Sequence, residues 1–127
     1  MSNRRPEELR ATIKNLANAG FPQADTEHVM MKDTSADKEY RRMKIREHYL
    51  IALLIGDNLN DFDKMFYKQP AETRSSLVNT NHELFGDIFI ILPNPMYGDW
   101  ESAIWKGRKM TPPEADKLKH AALTQEP

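Results

Sequence analysis

The sequence predicts an α/β domain built on a parallel sheet, and three observations carry that prediction. Two apolar runs, Leu50–Ile55 and Ile88–Leu92, have the length of strands buried on both faces. They alternate with stretches whose apolar residues recur at helical spacing, the pattern of βαβ units. The first run ends in Gly56-Asp57, and a second acid, Asp61, follows four positions on. In open α/β sheets ligands bind outside the carboxyl ends of the strands, which is where these acids would stand. An α+β domain is the competing arrangement.

The elements follow in order. Ser2 or Asn3 can cap a helix that begins near Pro6, with Glu7 and Glu8 at the positive end of its dipole. Leu9, Ile13 and Leu16, with Ala17 beside them, give it one apolar face, and Gly20-Phe21-Pro22 stops it. His28–Met31 reads as a short strand. Ser35 is placed to cap a helix over Ala36–His48. After the Leu50–Ile55 strand, Asp61–Tyr67 suits a helical turn, and Pro70 opens a helix over Ala71–Leu84 that Gly86 ends. The Ile88–Leu92 strand leads into a Pro- and Gly-rich loop, residues 93–98, and then a short helix, Trp100–Trp105. From Lys106 the chain turns polar. A last helix around Ala115–Leu123, or fraying, is expected there.

Composition narrows the function. A chain of 127 residues is one domain by its length. Its 29% charged and 39% hydrophobic residues are ordinary for a globular protein. A formal net charge of −1, without basic and aromatic residues interleaved, gives no sign of a nucleic-acid partner. With no cysteine there is no disulfide, thiol nucleophile or cysteine zinc site. No apolar run approaches the roughly 18 residues of a membrane span, and no contact with a membrane is expected from this chain. The N-terminus lacks the apolar segment of a signal peptide.

Asp57 and Asp61 are the first candidates for chemistry. Two hard oxygen anions at a strand end suit Mg²⁺, which takes carboxylates, waters and substrate phosphate. A Gly-Asp after a strand is also a common plain turn. Asp63 is a less suitable third ligand and reads better as a solvated helix residue. Lys38, in Lys38-Glu39-Tyr40-Arg41-Arg42, is either part of a charged, solvated helix face or an ammonium aimed at a phosphate. His28, His48, His82 and His120 have no ligand-like spacing. Trp100 and Trp105 read as core residues, whereas Tyr97, in a loop between Met96 and Gly98, suits stacking on a ligand.

Two segments together resemble a known family. Gly56-Asp57-Asn58-Leu59-x-Asp61-Phe62, followed by Phe85-Gly86-x-x-Phe89-Ile90-Ile91-Leu92-Pro93-Asn94-Pro95-Met96-Tyr97-Gly98-x-Trp100-Glu101, is similar to the class C acid phosphatases, the lipoprotein 5′-nucleotidase branch of the haloacid dehalogenase (HAD) superfamily. The resemblance runs from Ser2 to about Trp105. It implies a Rossmann-like three-layer α/β/α fold and Mg²⁺-dependent hydrolysis of phosphomonoesters through an aspartyl-phosphate. It further implies that Ser2 contacts phosphate through its hydroxyl, with Asn3 and Arg4 beside it on the substrate. Lys38 would be the phosphate-binding lysine, and Asp57 and Asp61 the metal-binding acids. Tyr97 would lie at the leaving group of a nucleoside monophosphate or aromatic phosphate.

The family's first motif, Asp-x-Asp-x-Thr, which holds the nucleophile, has no counterpart here. The nearest match, Asp61-Phe62-Asp63, has no Thr after it and does not stand on a strand of its own, so it is rejected. The expectation is therefore a partial domain. Residues 1–110 would be the C-terminal portion of the phosphatase domain, and 111–127 a polar tail. The central nucleophile-bearing strand and its neighbour would be lacking, and the N-terminal half would be the missing partner. The Leu50–Ile55 strand would then pair with Ile88–Leu92 on one side and face a gap on the other. Two functional readings follow: a phosphatase part, inactive alone, or a non-catalytic Mg²⁺- and phosphate-binding module of the same fold. The resemblance implies an outer-membrane, periplasmic or surface location, whereas the chain as written would stay in the cytoplasm.

Overall fold

The computed structural model describes residues 1–123, and these fall into two compact units that divide after Leu50, Met1–Leu50 and the described residues from Ile51 onward. The first unit holds α1 (Leu9–Asn18), entered through a single 3₁₀ turn at Pro6–Glu8, and α2 (Glu39–Arg46). The second holds β1 (Leu54–Gly56), α3 (Ala71–Thr80), β2 (Phe89–Ile91), α4 (Asp99–Ile104) and α5 (Pro112–Ala122).

In α1 the buried stripe is Leu9, Thr12, Ile13 and Leu16, with Thr12 in the place expected for Ala17, which is exposed. The helix does not use Ser2 or Asn3 as its cap. Glu8 reaches back to the Arg5 amide at 2.9 Å, because Pro6 leaves Arg5 as the last residue before the turn. The end is as expected: the Gly20 amide bonds Ala17 O and the Phe21 amide bonds Leu16 O, both at 3.0 Å.

His28–Met31 is not a strand. Asp25 accepts the Glu27 and His28 amides at 2.9 Å and the His28 ring nitrogen at 2.8 Å, which bends the chain through His28. The extended part beyond it makes two backbone bonds with the N-terminus, Ser2 N to Met30 O at 2.8 Å and Lys32 N to Arg4 O at 3.2 Å, too few for a regular ladder. The second helix starts later than Ala36, because Ser35 Oγ and Asp37 Oδ1 each accept the amide two residues on and make successive turns. It also ends earlier, at Arg46.

The sheet is the expected parallel pair, in register Leu54↔Phe89, Ile55↔Ile90 and Gly56↔Ile91. Each run pairs over three residues only, and burial on both faces is not found. Leu50 is 94% exposed and Ile55 62%. A strand is held by its neighbours, and among the described residues β1 has one neighbour. The core lies on one face of this pair. Phe62, Phe66 and Phe89 are buried there, with the Phe62 and Phe89 rings stacked 5.0 Å apart and Phe85 edge-on to both.

Two 3₁₀ turns, Leu59–Asp61 and Lys64–Phe66, replace the single turn expected over Asp61–Tyr67 and bring Phe62 and Phe66 to the core. Asp63 caps the second of these by accepting the Met65 amide at 2.8 Å, so it is a structural acid. In the last segment, Thr111 and Glu114 close a capping box around Pro112 and Pro113, so α5 forms and packs on α4, with Lys119 bound to Glu101 at 2.6 Å. Expectations for residues beyond Leu123 lie outside the described residues.

Candidate functional site

β1 delivers Gly56 and Asp57 to its carboxyl end, and the following turn folds back on them. Asn58 Oδ1 accepts the Asn60 amide at 3.3 Å, and Asn58 O accepts the Asp61 amide at 2.8 Å. This turn puts Asp61 against the strand end, where its Oδ2 accepts the amides of Asp57 at 3.2 Å and Asn58 at 3.3 Å. The approach is so close that a Cβ at position 56 would lie 2.5 Å from both Cβ and Oδ2 of Asp61. Glycine is thus a steric requirement of the acidic turn.

The two acids do different things. Asp57 is exposed, lines a cavity of about 630 Å³, and receives Asn94 Nδ2 on its Oδ2 at 2.8 Å. Asp61 is half-buried, organises the loop through its backbone bonds, and is not part of that cavity wall. The remaining walls come from α3, the end of β2 and α4, including Arg74, Val78, Leu92 and Trp100.

Beneath the acidic turn lies Arg74 of α3, only 6% exposed. Its guanidinium donates to Asn58 Oδ1 at 3.2 Å, Asn60 Oδ1 at 3.2 Å and the Phe66 carbonyl at 2.9 Å. Burial pushes its pKa below the ordinary arginine value, and the nearby charge of Asp99 opposes that shift. Gly98 closes the far side: a Cβ there would come within 2.8 Å of Asn58 Nδ2 and 3.0 Å of the Trp100 ring.

Tyr97 is 71% exposed. Its amide, at 3.4 Å, and that of Met96, at 3.1 Å, donate to Asn94 Oδ1. Asp57, Asp61 and Tyr97 all belong to the second unit. Ser2, Asn3, Arg4 and Lys38 belong to the first. There Arg41, 2% exposed, ties the N-terminus to α2, donating to Ser2 O and Asn3 Oδ1 at 2.6 Å each. Asn3 Nδ2 donates to Ala36 O at 3.0 Å, and Ser2 Oγ accepts the Arg4 amide at 3.2 Å. Lys38 stands at the start of that same helix as its N-cap residue.

Four residues, Arg41, Arg42, Arg74 and Asn94, escaped the sequence reading. Arg41 and Arg42 read as a solvated charged face, yet both are buried, Arg42 against Glu39 at 2.6 Å. Arg74 carried no signal, being a lone arginine in a polar helix. Asn94 had one: an Asn between two prolines is a turn former whose side chain serves nearby amides.

The donor set fits a divalent cation in part. Among the described residues no three His, Cys, Asp or Glu side chains gather as a self-sufficient site. One or two carboxylates are nonetheless the share that Mg²⁺ commonly takes from protein, with waters and phosphate oxygens completing its shell. Asp57 Oδ1 makes no hydrogen bond among the described residues, which leaves an oriented carboxylate with one oxygen to offer.

Known proteins resemble this chain over most of its length. The family described as HAD superfamily, subfamily IIIB (acid phosphatase) matches residues 1–100. Among solved structures, the class C acid phosphatase from Bacillus anthracis is 41% identical, with a TM-score of 0.89 over 98% of this chain and 53% of that one. The same protein with tungstate bound gives a TM-score of 0.90 at the same identity and coverage. This chain therefore spans about half the length of the structures it matches. The family match spans residues 1–100, which include the acidic turn and the Asn94–Tyr97 loop, and the chain belongs to the acid phosphatases of HAD subfamily IIIB.

Proposed function

We propose that this chain carries the cation- and phosphate-binding part of a Mg²⁺-dependent acid phosphatase and 5′-nucleotidase, and that its 127 residues alone do not turn over substrate. The observation that carries the reading is the acidic turn. Asp61 fixes the backbone of Asp57 and Asn58, and Gly56 admits that contact, so Asp57 is presented at the end of a parallel strand beside a cavity. Family membership supports the phosphatase class. The tungstate-bound relative supports an oxyanion site, since tungstate shares the tetrahedral shape and charge of phosphate.

In this reading Asp57 and Asp61 hold Mg²⁺, which when bound supplies positive charge against the phosphoryl oxygens. Lys38 and the Ser2 hydroxyl, with Asn3 and Arg4, bind phosphate oxygens as charge spreads over them. Tyr97 lies against the nucleobase or aromatic ring of the leaving group. A carboxylate nucleophile splits such a hydrolysis into two easier steps. None of the 127 residues stands in an Asp-x-Asp-x-Thr segment, and in this reading a second polypeptide segment bearing that motif would supply the nucleophile.

The experiment is hydrolysis of p-nitrophenyl phosphate with Mg²⁺, by the chain alone and with an added segment bearing that motif. The reading expects no turnover alone and restored turnover with the segment, lost again in Asp57→Asn. Turnover by the chain alone that Asp57→Asn abolishes would overturn the inactivity. A mixture that binds Mg²⁺ and docks without turning over would favour the non-catalytic binding module.

A further inference from the structure

Asp57 and the backbone of Tyr97 meet on one side chain. Asn94 follows β2 and sits between Pro93 and Pro95, whose rings fix the backbone on either side of it. Pro95 has no N–H, so the Asn94 Oδ1 serves the next two amides, Met96 at 3.1 Å and Tyr97 at 3.4 Å. Those two donors settle which end of the amide is oxygen, because a nitrogen in that position would face two N–H groups. Nδ2 must therefore point the other way, and there it donates to Asp57 Oδ2 at 2.8 Å.

The arrangement commits one oxygen of Asp57 to a neutral donor that adds no charge and leaves Oδ1 for another partner. Partners that hold a metal ligand in this way are typically worth about 10–100-fold in metal affinity. The same amide group closes the turn that carries Tyr97. We infer that Asn94 is a positioning residue that aims the Asp57 carboxylate at a divalent cation and, through the same side chain, couples the cation side of the site to the Tyr97 loop. This inference rests on the reading of Asp57 as a cation ligand.

Magnesium titration calorimetry on the 127-residue chain separates the two claims. The wild type should bind Mg²⁺, and Asp57→Asn should abolish that binding. Asn94→Ser keeps an oxygen that accepts the turn amides and offers Asp57 no N–H, and it should weaken affinity about 10-fold or more. Binding by Asn94→Ser within about twofold of wild type, where Asp57→Asn abolishes it, overturns the inference and leaves the metal reading standing. A wild type that shows no binding, or binding that Asp57→Asn leaves unchanged, overturns both.

A metal-free measurement serves if Asn94→Ser fails to fold. In amide NMR spectra, Asp57→Ala should move the Asn94 side-chain resonances and speed their solvent exchange. Mg²⁺ added to the wild type should shift the Met96 and Tyr97 amides together with that of Asp57. Asn94 resonances indifferent to Asp57→Ala, or Met96 and Tyr97 amides unmoved by Mg²⁺ that shifts Asp57, overturn the inference.

Discussion

Asp61 Oδ2 accepts the backbone N–H of Asp57 at 3.2 Å, so the second acid of the pair builds the platform on which the first is carried. The two carboxylates are unequal in consequence. Asp57→Ala removes an exposed side chain and should alter stability by less than about 0.5 kcal/mol. Asp61→Ala leaves two amides without their acceptor and should cost about 1–3 kcal/mol. Urea melts of the two variants check this difference, and equal costs would contradict it.

Gly56→Ala should be more damaging than a surface glycine change. The added methyl would sit 2.5 Å from Asp61 Cβ, a side-chain root that cannot swing away without moving the loop. Overpacking of this kind costs about 1–3 kcal/mol. The variant should lose Mg²⁺ binding along with stability, as read by a melt and a titration. A variant that binds Mg²⁺ like wild type would show that the acidic turn tolerates displacement.

Arg74 is a buried cation that donates hydrogen bonds to uncharged oxygens, those of Asn58, Asn60 and Phe66. Arg74→Met should destabilise by about 1.5–3 kcal/mol, the worth of hydrogen bonds to a charged group. Arg74→Lys should not restore the loss, because a single ammonium cannot span the acceptors that the guanidinium fork reaches. A lysine variant that melts with the wild type would rule out the fork as the organising element.

The reading of fold and site from sequence succeeded where a local pattern had one physical meaning. The parallel pairing of the two apolar runs, the Gly56 turn and the termination of α1 at Gly20 were all legible. It failed where the outcome depended on partners distant in sequence. Leu50–Ile55 has the composition of a buried strand, but burial belongs to the sheet and not to the run, and most of it is unpaired here. Arg41 looked like any helix-surface arginine until the Ser2 carbonyl and Asn3 amide arrived from 38–39 positions away. Asp25 turned the expected His28 strand into a bend through three contacts with its own neighbours, a competition that alternation of residues does not reveal.

That bend carries a pH signature. The His28 ring and the neighbouring amides hold the Asp25 carboxyl below its ordinary value. A carboxyl with a lowered folded-state pKa contributes stability above its unfolded value, about 3.9, and loses it as pH falls through the lower one. Acid titration should therefore loosen residues 25–28 below about pH 4, seen as faster amide exchange at Glu27 and His28. Asp25→Asn should show that fast exchange at neutral pH already. Exchange that is the same in both chains would remove the carboxylate from the account.

The exposed apolar edge around Leu53, Ile55 and Leu92 should make the chain self-associate, since unpaired strand edges recruit other chains. The apparent mass from light scattering should rise with concentration, and Ile55→Lys should lower it. An apparent mass that is independent of concentration in the wild type would mean that the edge is already protected.

A divalent cation at the end of β1 is tested most directly by Mn²⁺-induced broadening of amide NMR signals. Substoichiometric Mn²⁺ should erase the signals of Asp57, Asn58, Asp61 and Asn94 before any others, and Asp57→Asn should restore them. Broadening that is spread evenly over the chain, or that centres away from the acidic turn, would contradict the account.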